Sequence, residues 1–316
     1  MPAGGSDAKV AASSAYADQN RWAPFGSIAA HLGFVVVLLG AFLSATTGFK
    51  DTQFAAPVGT SVEVGHGSGL TVKALSFSDA YYDDGSPKDY ASEIVISKNG
   101  VAVAQQTIRV NQPLSYGGVS FYQSFFGTAA NVVVKDAAGK TLLAKAVPLM
   151  WSSDDGKHNI GQFTVPGSQP STVYVVLPAS GQVDPAIQAG QAQLEVYQGG
   201  SSTATATQVV SQGKPATIAG LNFTFERERQ FTGLIVARDP GAVWVWTGSA
   251  LMVLGIVLVF FFPHRRVWVQ VRPGSNGKSS IRFASHQLRD AAFEPRFRAL
   301  VADAEESASP SSTQGK

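Results

Sequence analysis

Two apolar runs, each 21 residues long, divide the chain. The first, 25–45, reads FGSIAAHLGFVVVLLGAFLSA and holds one ionisable side chain, His31; the second, 242–262, reads AVWVWTGSALMVLGIVLVFFF and holds none. Coiled as an α-helix, either run is about 31 Å long, which matches the hydrocarbon thickness of a bilayer. The pattern therefore predicts two transmembrane helices. Between them the texture changes to short runs of β-branched and aromatic residues separated by Gly, Pro, Asn and Asp, the mark of an all-β domain. Strands are expected at 70–77, 93–97, 101–110, 119–126, 131–135, 141–146, 172–177, 193–197, 215–219, 221–228 and 231–237, with hairpin turns at Asn99-Gly100 and Ala138-Gly139. GGSSTATAT, 199–207, reads as a surface loop. The segment is long enough to bury a core, and a two-sheet sandwich or open barrel is the natural result.

The first run carries a second pattern. Gly26, Gly33 and Gly40 recur every seven residues, and Ala30, Val37 and Ser44 follow each by four, so one helix face is a stripe of small side chains suited to close approach of another helix. Gly248 and Gly255 repeat the spacing in the second run, which makes it a partner for that stripe. At about 100° per residue His31 points about 200° away from Gly33, nearly opposite the stripe. It lies about 9 Å inside the end marked by Arg21 and Trp22, where burying an imidazole is costly and a compensating partner is expected.

Charge orients the whole. The chain carries a formal net charge of only +2, yet beyond Pro263 there are nine Lys or Arg against five Asp or Glu. Arg265, Arg266, Arg272 and Lys278 follow the second run closely, whereas only Lys50 directly follows the first, so the positive-inside rule puts this tail in the cytoplasm. Two spans then put the N-terminus there too and the β domain outside, in a bacterium the periplasm or its equivalent. The expected architecture is a mainly β membrane protein of the plasma (inner) membrane. Its parts are a disordered cytoplasmic lead, 1–24; transmembrane helices over 25–47 and 241–262; a β-sandwich-like extracytoplasmic domain over 48–240; a basic cytoplasmic hairpin and amphipathic segment, 263–302; and a disordered end, 303–316. In that segment the hairpin turns at Gly274-Ser275-Asn276-Gly277, and Leu288, Phe293, Phe297 and Leu300 suit a membrane surface. The polar lead before a long apolar core reads as an uncleaved signal anchor, with cleavage near Ser44-Ala45 as the alternative.

Chemistry is sparse. The chain has no cysteine, which excludes disulfides, thiol redox motifs and Cys-based metal sites. A neutral imidazole is an axial ligand for haem iron, and His31 in a protein-facing helix suits that role; the cofactor-free alternative is a hydrogen bond to a neighbouring helix, or to Ser27 one turn earlier. His264, just past the second run, is a weaker ligand candidate, since His-Arg-Arg at a membrane exit reads as an interfacial anchor. His66 lies in a glycine-rich loop and His158 in an exposed turn, neither with metal spacing to another histidine. Asp79, Asp83 and Asp84 lack the spacing of an EF-hand and read as a turn. Tyr81, Tyr82, Tyr116, Phe121, Tyr122, Phe125 and Phe126 read as sandwich core or docking face. No phosphate loop appears, and a basic tail beside a membrane meets lipid headgroups rather than nucleic acid.

Four passages together resemble the ResB-like proteins (ResB/CcsB) of system II cytochrome c biogenesis. They are Arg21-Trp22 with the His31-Leu32-Gly33 span; Asp84-Gly85-Ser86-Pro87 with Asp89-Tyr90-Ala91-Ser92; Val110-Asn111-Gln112-Pro113-Leu114 with Tyr116-Gly117-Gly118 and Phe121-Tyr122-Gln123; and Asp239-Pro240-Gly241 leading through the last span to Val267-Trp268-Val269. In order and spacing they cover nearly all the chain from Arg21 to about Leu300. The resemblance implies a membrane subunit that, with a ResC- or CcsA-like partner, carries haem outward and presents it to apocytochrome c. It implies haem b held through His31, which occupies the place of the family's intramembrane haem ligand. It also implies a non-catalytic part in a haem lyase (synthetase) complex, with thioether formation left to the partner and the apocytochrome thiols. Family members usually carry further transmembrane helices ahead of this one; here a polar lead stands in their place, so those helices are expected on another chain or the role is reduced. The reading from a different class is a haem-free, membrane-anchored envelope scaffold or sensor whose β domain binds a protein.

Overall fold

The computed structural model describes residues 13–167, 170–273, 279–288 and 290–308. Two units emerge: Ser44–Pro240, the β domain, and Met1–Leu43 together with Gly241–Lys316.

The second of these is built on α1 (Pro24–Thr47) and α2 (Ala242–Phe261), both long and apolar enough to cross a membrane. They run antiparallel through their glycines: a Cβ on Gly33 would sit 2.6 Å from the Gly248 carbonyl oxygen, one on Gly26 2.8 Å from that of Gly255, and one on Gly40 2.8 Å from the Val245 nitrogen. The expected pairing of the two stripes is what forms. Because lipid is as apolar as leucine, helices associate by close van der Waals contact, which side-chain-free positions allow.

The lead was expected to be disordered, but 13–19 form a strand, β1 (Ser13–Gln19). It pairs antiparallel with β17 (Arg265–Pro273), in register from Ser13 opposite Val271 to Gln19 opposite Arg265, and β18 (Ser279–Ala284) flanks β17 on the other side. Every residue of β1 is exposed, so it shows no apolar alternation. Its order comes from a partner strand about 250 residues later and from polar ties: Asp18 holds His264 and Arg266, and the Asn20 amide donates to the Pro263 carbonyl at 3.2 Å. The residues of the expected hairpin turn, 274–278, lie outside the described residues. The amphipathic segment ends in α3 (Glu294–Ala308), so 303–308, expected to be disordered, are helical, while 309–316 lie outside the described residues. Phe293 is buried under the Arg265 guanidinium, 5.5 Å from its ring centre, rather than laid on a membrane surface.

The β domain is two sandwiches threaded on one ribbon. The ribbon is β8 (Val119–Lys135) paired antiparallel with β16 (Leu221–Arg238). The strands expected from sequence divide each in two, leaving 127–130 and Arg229-Gln230 as gaps. In the fold these stretches face each other, Gly127 opposite Phe231 and Thr128 opposite Gln230, and the pairing carries through. Along the Lys135 half, β9 (Thr141–Pro148) and β15 (Pro215–Ile218) extend the ribbon. Over it lies a five-stranded sheet of β10 (Trp151–Ser152), β11 (His158–Val165), β12 (Ser171–Pro178), β13 (Gln191–Gln198) and β14 (Ala206–Ser211). Val132, Val134, Val175, Leu194, Phe223 and Phe225 share that core. Along the Val119 half, β2 (Phe49–Pro57) and β7 (Leu114–Tyr116) extend the ribbon. The covering sheet there is β3 (Ser61–Glu63), β4 (Leu70–Tyr81), β5 (Pro87–Lys98) and β6 (Val101–Arg109), and Phe54, Val72, Ile94, Ile96, Phe121 and Leu234 fill the second core.

Where the cores meet, the ribbon bulges between Gly233 and Leu234. The Phe125 ring lies over Gly233 and the Phe231 ring over Gly127, each where a Cβ could not fit. Beside them Ser92, Gln123 and Thr232 are buried polar residues that satisfy one another. Ser92 donates to Gln123 Oε1 at 2.6 Å, Thr232 to the same oxygen at 2.9 Å, and the Gln123 amide to the Phe125 carbonyl at 3.1 Å. Buried polar groups of this kind are tolerated because their hydrogen bonds are made.

Candidate functional site

His31 sits on the face of α1 that α2 leaves open. At 100° per residue it stacks in line with Val35, Leu38 and Phe42, all exposed, while Gly26, Gly33 and Gly40 on the opposite face are buried against α2. Its Nδ1 lies 2.7 Å from the Ser27 carbonyl oxygen, one turn earlier. A carbonyl oxygen can only accept, so in the neutral imidazole the proton is on Nδ1, and the Nε2 lone pair meets no partner among the described residues. Iron ligation by histidine needs that arrangement: one nitrogen bare, the other anchored so that tautomer and ring orientation are set. The hydrogen bond foreseen at Ser27 thus prepares the ring for a ligand as readily as it replaces one.

His264 is arranged differently. Its Nε2 is engaged by Asp18, whose other oxygen takes the Arg266 guanidinium at 2.8 Å. The Arg266 hydrogen bond first, and that of His264 after it, hold the Asp18 carboxyl below its usual range. Next to it, Arg265 forks onto Asp290 at 2.8 and 3.1 Å. The His-Arg-Arg sequence is therefore a clasp joining the lead and the tail to the strand that follows α2. Two further histidines lie against aromatic rings. His66 stacks on Phe49 with ring centres 4.3 Å apart, and His286 meets Trp268 edge-on at 5.0 Å. Among the described residues no three His, Cys, Asp or Glu side chains are grouped to hold a metal ion.

His158, expected in an exposed turn, opens β11 and is half-buried, with Nε2 2.7 Å from Asp184 Oδ2. That bond, with backbone N–H groups of the 184–187 loop, keeps the Asp184 carboxyl below its ordinary 3.8. A carboxyl lowered by folding contributes stability that is present above its unfolded pKa and is lost as pH falls through the lowered value. The β domain should therefore lose stability in acid from about pH 4 downward, and Asp184→Asn should flatten that part of the curve. Urea midpoints at pH 6 and pH 3 for both chains measure it; equal slopes would rule the pair out as a contributor.

The aromatic residues singled out in sequence divide. Phe121 is wholly buried and Tyr116 packs at the edge of that core, whereas Tyr81 and Tyr82 stand exposed at the end of the β4–β5 hairpin. Loss of water around its hydroxyl first, and the hydrogen bond to the Asp79 carboxylate after it, push Tyr81 up to about 12. Asp84 receives the Ser86 hydroxyl at 2.6 Å and closes a turn. One concavity has no counterpart in the sequence pattern. Within the β domain, at the end of α1, Ser44, Gly48, Lys50, Tyr122, Arg238 and neighbouring residues line a cleft of about 680 Å³. Lys50 and Arg238 lie at opposite ends of the β domain in sequence, and only the pairing of β2 with β16 brings them together.

The model of the ResB-like family matches residues 5–298. Among curated proteins, the chain is 27% identical to the cytochrome c biogenesis protein CcsB of Microcystis aeruginosa over 267 residues, which is 81% of this chain and 56% of that protein. It is 27% identical to the chloroplastic cytochrome c biogenesis protein CCS1 of Arabidopsis thaliana over 270 residues, 81% of this chain and 47% of that protein. To the CcsB of Thermosynechococcus vestitus it is 27% identical over 310 residues, 94% of this chain and 64% of that protein. The chain thus spans between 47% and 64% of the length of these relatives.

Proposed function

The chain belongs to the ResB-like family, and on that premise we propose that it serves cytochrome c biogenesis as a membrane subunit that carries haem b at His31 and presents it for attachment to apocytochrome c. The relatives' shared name, cytochrome c biogenesis protein, supports the process. The observation that carries the haem reading is the state of His31: Nδ1 tied to the Ser27 carbonyl, Nε2 bare, on a membrane-length helix whose other face is already filled by glycine packing. The residue fits the group, and when bound the haem would supply the iron and the vinyl groups to be attached. This chain's own contribution is to orient the imidazole and, through the Ser27 bond, to keep its proton off the ligating nitrogen.

An uncovered apolar face bearing an imidazole also calls for a second membrane chain, and a ResC- or CcsA-like protein is the partner proposed. In this arrangement both termini lie in the cytoplasm with the Arg265–Arg266 clasp, and the β domain stands outside to receive apocytochrome c. The visible spectrum, oxidised and dithionite-reduced, of the chain purified with its membrane partner is the test. A low-spin haem signal should be present in the wild type, absent from or shifted in His31→Ala, and partly restored there by added imidazole. No haem in either sample, or identical haem in both, would remove His31 as a ligand and leave the haem-free scaffold as the better account.

A further inference from the structure

The cleft at the end of α1 is built for an anionic amphiphile. One wall is the outward face of the β2–β16–β8 sheet, where Ile235, Ala237 and Tyr122 offer apolar surface. Its cations are Lys50, opposite Ala237, and Arg238, the last residue of β16, opposite Phe49. Both are exposed, and among the described residues neither is in an ion pair. The single carboxylate among the lining residues, Asp239, is engaged by the Ser44 hydroxyl. Asn111, held at φ 64, adds an amide to the lining. A volume of about 680 Å³ lies within the range of ligand sites, roughly 300–1,000 Å³. Its position adds the last element. α1 ends at Thr47, and Lys50 follows within three residues, so the cations stand where a membrane-length apolar helix gives way to the β domain.

We propose that this cleft binds the anionic end of a membrane amphiphile, with Lys50 and Arg238 taking the carboxylate or phosphate oxygens and the Tyr122–Ile235–Ala237 surface taking the adjoining apolar part. Two molecules present that chemistry at a membrane surface: a porphyrin with its propionates and an acidic phospholipid. In its porphyrin form the proposal rests on the haem-delivery reading above; in its lipid form it does not.

The full chain in phosphatidylcholine nanodiscs, with or without phosphatidylglycerol, separates these sources. Iron-free protoporphyrin IX is the porphyrin probe, because it keeps both propionates but offers His31 no iron; its dimethyl ester, which lacks the charges, is the control. Protein-dependent fluorescence anisotropy reads porphyrin binding, and native mass spectrometry reads retained lipid. If the porphyrin is the ligand, it should bind saturably, the ester should not, and Lys50→Gln with Arg238→Gln should weaken binding by about tenfold or more. If lipid is the ligand, phosphatidylglycerol should be retained over phosphatidylcholine and lost in the same double variant. Lys50→Arg with Arg238→Lys should keep the affinity within about threefold, since charge is preserved. His31→Ala should change neither reading, which separates this site from the membrane ligand. The proposal is overturned if the wild type retains neither molecule, or if the neutralised variant, melting like the wild type, retains both as before. Loss in His31→Ala alone would likewise overturn the cleft while leaving His31 standing.

Discussion

Gly33→Leu is expected to separate α1 from α2. Even the first carbon of a side chain there would lie 2.6 Å from the Gly248 carbonyl oxygen and 2.7 Å from the Met252 nitrogen, and backbone atoms cannot swing aside as a flexible side chain can. Overpacking a tight interior typically costs about 1–3 kcal/mol, and a collision with backbone belongs at or above the upper end. In a membrane no hydrophobic drive between helices offsets the lost contact. Val35→Leu supplies the comparison, because Val35 is 58% exposed on the uncovered face and the same added bulk should change stability by no more than about 0.5 kcal/mol. Melting in detergent micelles, followed by the fluorescence of Trp244 and Trp246 on α2, should drop for the first variant and stay for the second. Equal melting of the two would mean that the helices do not meet through the glycine stripe.

The second large effect concerns the ribbon. Phe121 and Phe225 are both fully buried, one in each core. Replacing either by alanine should cost about 3–5 kcal/mol, a large part of the roughly 5–15 kcal/mol that holds a domain folded. Because β8 and β16 each run through both cores, a weakened core should pull the other down with it. Phe121→Ala and Phe225→Ala are therefore expected to lower one shared transition by similar amounts in urea unfolding followed by near-ultraviolet circular dichroism. Two separate transitions, with each variant moving only its own, would show instead that the sandwiches unfold independently at the Gly127–Gly233 junction.

The places where sequence and structure part company share a cause. Residues 127–130 and Arg229-Gln230 look like chain breaks one at a time. They are mid-strand because each supplies what the other needs: a glycine under the Phe231 ring, and a backbone ladder carried across the polar stretch. The lead shows no periodicity because β1 is exposed throughout; β17 and the Asp18 clasp order it. His158 reads as a turn residue in sequence because Asp184, which anchors it, is 26 positions away.

What the sequence by itself determined is whatever depends on near neighbours and on composition. The two membrane-length helices follow from uninterrupted apolar length, their mating faces from a seven-residue glycine spacing, and the β character of the segment between them from its alternation and turns. The position of His31 opposite the glycines follows from 100° per residue alone. The tertiary structure decided what depends on distant partners: two cores on one ribbon, the His264–Asp18–Arg266 clasp, and the meeting of Lys50 with Arg238 across β2 and β16. Helical faces repeat within one turn and can be read locally, whereas strand pairing joins residues at any separation, and only the folded chain fixes which ones meet.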